Sequence, residues 1–322
     1  MNAITKMILR QVVKQLWPVL VGLALWLVAV AVKWPSLFQE EWARLILAFA
    51  PLVLVPLGLP IYRGSKAKGR AKAAWSLIEA TTLPTAALFG FAIVFMEAGH
   101  LSALLVVPWL LLTACLSVLG VMRVREHCCG RLGELCQDVA LVFIVVGSGW
   151  ALLDRLSIRP LDFQPVIVLL TAIHFHYAGF VLPLVAGILL QDEKGLFARI
   201  AGIGTIVGIP LVAIGITATQ MQWGHPLETL SAWVLGGSGL IVAYLLVRQA
   251  LKSGPYVRVL WSIAGVSLGA SMVLAILYGS RPFMEVSWLD IPHMRALHGT
   301  ANALGFALCG LVGARIRQVM GM

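Results

Sequence analysis

A few ionisable residues stand inside long apolar stretches of this chain, where each is costly and therefore a functional candidate. His174 and His176 lie two apart in Thr171-Ala-Ile-His-Phe-His-Tyr177. Glu79 has Thr82 three residues on, on the same helical face. Arg295, His298 and Asn302 follow i, i+3, i+7 and also share a face. A buried His or carboxylate can give or take a proton in a dry pocket. His174, His176, Glu79 and His298 are therefore the candidate catalytic groups. Arg295, Asn302, Tyr177 and Thr82 are the candidate binding groups, with Arg295 suited to an anionic head. Trp26, Trp109, Tyr177 and Phe180 would wall an apolar substrate and stabilise developing positive charge. Histidines titrating near about pH 6.5 would make activity change between roughly pH 5 and 8.

Helix geometry limits the histidine pair. Residues i and i+2 are about 200° apart, so His174 and His176 cannot both hold one metal on a regular helix. One should face the interior and the other bond a neighbouring helix. No metal is expected. His127-Cys128-Cys129 with Cys136 matches no zinc spacing, and the cytosolic side on which they fall keeps thiols reduced. Asp138 is read as a structural group, solvated or paired with Arg131.

These residues must be positioned by helices that cross a bilayer. The chain has 322 residues, 60% hydrophobic and 12% charged, with mean hydropathy +0.93. Soluble domains carry about 25% charged residues. A spanning helix needs roughly 20 apolar residues, and ten runs qualify: 16–32, 43–62, 74–96, 101–122, 135–153, 163–190, 200–219, 229–247, 257–278 and 297–314. The sixth is long and should tilt or kink, at Pro183. The loops are short, so residues 1–322 form a single all-α membrane domain. The first run is read as a helix and not as a cleaved signal peptide, because its apolar stretch is too long.

Charge sets the direction. Lys and Arg favour the cytoplasm. With the N-terminus inside, only Lys33, Arg44, Arg155, Arg159, Arg281 and Arg295 of the 24 basic residues fall outside. Both termini are then cytoplasmic. The net charge of +10 is accounted for by this sidedness, with membrane lipid and not nucleic acid as its partner. Oligomeric state is left open by the sequence.

The segment His174-Phe-His-Tyr-Ala-Gly-Phe-Val-Leu-Pro-Leu-Val-Ala-Gly187 resembles the central motif of the YndJ-like family of bacterial multi-pass membrane proteins. Gly208-Ile-Pro-Leu-Val-Ala-Ile-Gly-Ile-Thr217 and His298-Gly-Thr-Ala-Asn-Ala-Leu-Gly-Phe306 are similar to its later motifs. The resemblance runs over residues 160–314. It implies a bacterial inner-membrane protein of a family commonly labelled as transporters, and it carries no catalytic residues with it.

Several chemistries are excluded by the residues themselves. Neither G-x-x-x-x-G-K-S/T nor a usable G-x-G-x-x-G is present. No Lys lies inside a span to form a Schiff base. Seven histidines, four of them in loops, are too few for a multi-histidine di-iron centre. A bis-His haem, which needs ligands at matching depths, stays open but unsupported, since His298 lies about 10 Å above the other pair on helix rise. No cofactor is expected. Two readings remain. One is a membrane-embedded enzyme doing acid–base chemistry, such as isomerisation, hydration or epoxide opening and cyclisation, on an apolar lipid, isoprenoid or polyketide. The other is a secondary transporter of a small or amphipathic solute. Polar residues do not recur at corresponding positions of the two halves, which suits one pocket better than an alternating path. In the enzyme reading, Glu79→Gln removes activity, and the two histidines and the Arg295 face border one cavity in the outer half. The topology is checked by a reporter fused at Lys68, which should read as cytoplasmic; an extracellular reading would overturn it.

Overall fold

Where the apolar runs are long and charges fall only at their ends, the backbone has no water to bond to and closes its own hydrogen bonds as helices. The structure, a computed structural model, describes residues 3–62, 70–127 and 131–320. Ten helices there are long and apolar enough to cross a membrane. They are α1 (Ala3–Lys33), α2 (Glu40–Tyr62), α3 (Arg70–Phe95), α4 (His100–His127), α5 (Leu132–Arg155), α6 (Pro165–Leu189), α7 (Leu196–Gln220), α8 (Pro226–Leu251), α9 (Pro255–Ser280) and α10 (Ile291–Met320). All ten expected spans are present. Ten antiparallel crossings leave both chain ends at one end of the bundle, the terminal end; the opposite one is the far end.

Three helices are irregular. α2 carries a π-helical turn at Ala50–Leu54, α6 one at Tyr177–Val181, and α10 two, at Met294–Gly299 and Ala301–Leu308. The irregularity of α6 therefore begins a turn before Pro183, the residue expected to cause it. Proline brings no N–H to the helical ladder. In α6 the ladder widens ahead of Pro183, and in α2 it widens between Pro51 and Pro56. α2, α6 and α10 pack together.

α2 is enclosed. Of its apolar window 89% is buried, against 22% for α1. Neighbours bond its backbone: Trp26 Nε1 donates to the Leu45 carbonyl at 2.8 Å and the Tyr177 hydroxyl to the Ile46 carbonyl at 2.8 Å. α1 approaches so closely that a Cβ on Gly22 would overlap the Leu52 carbonyl oxygen. Small residues bring other helices close as well. Gly204 and Gly208 meet Ser238 and Leu235 of α8, and Gly265 lets α9 approach Ala243 of the same helix. Gly269 is roomier, its added Cβ lying 3.7 Å from the Ala243 Cβ.

Ion pairs tie the helix ends. At the far end Arg155 is buried; it bonds Asp154 and donates to the Ala92 and Met96 carbonyls of α3, while Arg44 of α2 reaches the same Asp154 at 3.2 Å. At the terminal end Glu193 takes Gln249 at 2.8 Å and Arg248 at 3.3 Å. Gly22→Ala should lower the unfolding free energy in detergent by about 1–3 kcal/mol, since nothing but backbone can move to admit the methyl group. Gly269→Ala should be close to neutral. Equal thermal midpoints for the two variants would show that α1 does not seat on α2 as described.

Candidate functional site

A cavity of about 470 Å³ opens at the far end between α2, α5, α6, α7, α8, α9 and α10. This volume is on the scale of a small-molecule site. Its walls are largely apolar, among them Phe163, Leu170, Val212, Leu235 and Met272. Its polar groups are His174, Arg295, His298 and Asn302, with Thr171, Thr217, Glu228 and Tyr278 nearer the mouth. Below it, Phe180, Leu184 and Val185 are fully packed.

α6 sends its two histidines in opposite directions, as the 200° separation requires. His174 lines the cavity. Its Nε2 is occluded and without a partner at hydrogen-bond geometry, while the ring reaches the Ile209 backbone of α7 and stands within electrostatic reach of His298. His176 points away, into the packing between α4 and α5, and does not border the cavity. Its Nδ1 faces the Ala172 carbonyl at 2.8 Å, so that nitrogen carries the proton; its Nε2 accepts from Trp109 Nε1 at 3.2 Å. Gly147 makes room for the ring, since a Cβ there would lie 2.6 Å from His176 Nδ1. The expectation that both histidines share one cavity is therefore corrected. His176 has both nitrogens satisfied and no free group to offer.

α10 brings its three polar residues to the cavity despite its π-helical turns. His298 Nδ1 faces the Ser271 carbonyl of α9 at 2.8 Å. A carbonyl only accepts, so His298 is protonated at Nδ1 and its Nε2 accepts from Asn302 Nδ2 at 3.1 Å. That fixes the amide orientation as well, leaving Asn302 Oδ1 as an acceptor on the cavity side. Arg295 Nη2 donates to the Phe38 carbonyl at 2.5 Å, and its Nε is occluded without a partner. Next to this face Trp42 Nε1 donates to Thr300 Oγ1 at 2.8 Å, locking α10 onto α2.

The remaining expected site residues lie elsewhere. Glu79 and Thr82 are on α3, and the enclosed α2 stands between that helix and the cavity. Glu79 interacts electrostatically with Arg315 of α10. Thr82 is buried and donates to its own Ile78 carbonyl at 2.6 Å. Tyr177 lines the cavity with its ring, while its hydroxyl is committed to α2. Of the expected aromatic walls only Tyr177 is one; Trp26, Trp109 and Phe180 are packing residues, and Trp150, Phe163, Tyr278 and Phe306 take that role. Asp138 is buried on α5 and pairs with Arg123 at 2.5 Å. Cys128 and Cys129 lie outside the described residues.

Sequence reasoning missed the mouth. Glu228 accepts from Thr219 Oγ1 at 2.7 Å and pairs with Arg281 at 3.0 Å, while Arg281 stacks on Tyr278, 4.0 Å from the ring centroid. An acid in a helix's first turn reads as a dipole partner, and an Arg in a loop reads as a topology charge. Nothing in the spacing joins positions 228 and 281.

The ten crossing helices, with a cavity at the far end, define a multi-pass α-helical membrane protein. The chain belongs to the YndJ-like protein family, which matches residues 45–306. It is 25% identical over 241 residues to the membrane protein YndJ of Bacillus subtilis (strain 168), covering 73% of this chain and 42% of that protein. The chain thus spans under half the length of this relative. No solved structure matches it. His176→Leu should cost about 1–3 kcal/mol in detergent, because it leaves the Trp109 N–H buried without an acceptor, and should leave ligand capture in the cavity unchanged. Undiminished stability with lost capture would return His176 to the site.

Proposed function

We propose that this protein is a membrane-embedded enzyme that performs acid–base chemistry on an apolar or amphipathic substrate. His174 and His298 exchange the proton, and Arg295 and Asn302 bind. One observation carries the reading: His174, with an unpartnered ring nitrogen, lines the cavity alongside a His298 held in a single tautomer. A proton-transfer group needs a defined protonation state and a position beside the substrate. The Ser271 carbonyl supplies the first to His298. When substrate displaces the Asn302 amide, the His298 Nε2 lone pair takes a proton from the substrate and passes it to the free Nε2 of His174, which returns it at the new position, so both rings end neutral. Isomerisation, hydration and epoxide opening all need such a pair and a pocket that limits water. Glu79, His176 and Thr82 have no part in this scheme. The charge bias supports a far end that faces outward and termini in the cytoplasm of a bacterial inner membrane.

A second reading, secondary transport, is favoured by the π-helical turns of α2, α6 and α10, which meet at the cavity as broken helices do in transporters. They do not fall at corresponding positions of two five-helix halves, and the cavity is closed toward the terminal end. Both features suit a one-sided pocket better.

Vesicles of bacterial lipid extract containing the purified protein test the two readings by mass spectrometry. The enzyme reading expects a product isobaric with a lipid component, or heavier by one water. His174→Gln and His298→Gln should each lower its formation by about 100-fold or more, while Glu79→Gln retains it. Unchanged turnover in both His variants, or a solute that crosses the vesicle wall unaltered, would overturn the enzyme reading.

A further inference from the structure

The walls of the cavity are not equally sealed. α7 is held along its length by α8, where Gly204, Gly208 and Gly215 let the two helices touch. On its other side α7 meets α5 and α6 toward the terminal end, where Gly202 lies against Leu132 and Leu190, and Cys136 reaches the Gly202 carbonyl at 3.8 Å. At mid-depth His174 of α6 reaches the Ile209 backbone of α7. Beyond that contact both helices flank the cavity, with Ile167 and Leu170 on one and Ala213 and Ile216 on the other. These four are half-buried and apolar. At the far end Gln220 Nε2 donates to the Leu161 carbonyl at 3.1 Å, joining the end of α7 to the loop before α6. Between these two polar ties α6 and α7 face each other across a cleft lined by apolar side chains.

Charge narrows the occupant. Two guanidinium groups border the mouth. Arg281 is neutralised by Glu228 at 3.0 Å. Arg295 has no carboxylate within ion-pair distance among the described residues; its one bond is to a backbone carbonyl, and its buried Nε has no acceptor. A cation left uncompensated beside an apolar cavity is costly until an anion arrives. Asn302 and His298 lie on the same face below it.

We infer that the cavity takes an anionic, single-chain amphipath sideways from the bilayer through the cleft between α6 and α7, with its carboxylate or phosphate head on Arg295. The chain lies along Leu170, Ala213 and Leu235 with its tail toward Leu182 and Phe306, all of them lining residues. This rests on the cavity's being a ligand site and is independent of whether His174 and His298 transform what it holds.

The experiment uses the full-length protein in neutral phosphatidylcholine vesicles and three photoactivatable probes of one chain length. These are a fatty acid and a lysophosphatidate, both with a diazirine in the tail, and the uncharged monoacylglycerol. Peptide mapping should place the label on α6 and α7 wall residues, with both anionic probes labelling about tenfold more strongly than the neutral one. Arg295→Gln should abolish that preference while leaving labelling by the neutral probe unchanged. Ala213→Trp should suppress labelling by all three, and Ile216→Trp serves if the first variant fails to fold, as judged by its thermal midpoint. Inorganic phosphate or acetate should not compete, since neither has a chain to bury. Equal labelling by the neutral and anionic probes, an undiminished preference in Arg295→Gln, or full competition by inorganic phosphate would overturn the assignment. Full labelling in a folded portal variant would overturn the sideways route. Loss of conversion in His174→Gln with no charge preference in labelling would defeat this inference and leave the enzyme reading standing; charge-selective labelling without any conversion would do the reverse.

Discussion

Every backbone N–H and C=O in hydrocarbon must find a partner within the protein, and α2 is where this demand shapes the rest. Pro51, Pro56 and Pro60 remove three donors from one helix, and a π turn widens its ladder. Such a helix is poorly suited to lipid. It is enclosed, and its carbonyls collect donors from others, Trp26 on one side and Tyr177 on another. The Tyr177 bond fixes the π turn of α6 against α2, and that turn begins three residues after His174. The Trp42 bond to Thr300 does the same for α10, two residues beyond His298. The positions of both cavity histidines thus follow from how α2 satisfies its backbone.

The ion pairs serve a different purpose from the cavity charges. Asp154, Arg155 and Arg44 are compensated among themselves, and Arg155 also caps the end of α3. Glu193 gathers its partners from α8. A buried pair is weak evidence for stability as such, yet each of these groups joins helices that are distant in sequence and so fixes which end lies beside which. Arg295 joins no such group and stands out for that reason.

The architecture was legible in the sequence because a bilayer imposes a simple rule on length and polarity, and all ten helices appear where that rule puts them. The opposed directions of His174 and His176 were legible too, since they follow from a 100° turn per residue. The sorting of the remaining polar residues was not. Glu79 and Asp138 look alike as acids near the ends of apolar runs; α2 stands between Glu79 and the cavity, while Asp138 lies at the terminal end of α5, whose Val146 and Trp150 line the cavity farther along. No local pattern encodes that arrangement. Glu228 was passed over for the complementary reason: its first-turn position has an adequate local explanation, and its link to Arg281 arises only when α8 and α9 lie side by side. The Pro183 expectation erred by a turn because proline removes a bond one turn before itself, and the helix widens there.

The enclosure of α2 has a consequence for biogenesis. Membrane helices leave the ribosome in order, so α2 emerges before α6 and α10, which form part of its walls. Between those moments a helix with three prolines and a broken ladder has only α1 and α3 beside it. Gly22 lets α1 cover the Leu52 carbonyl at once, so α1 acts as an early companion on one flank. The other flank stays uncovered until α6 and α10 have emerged.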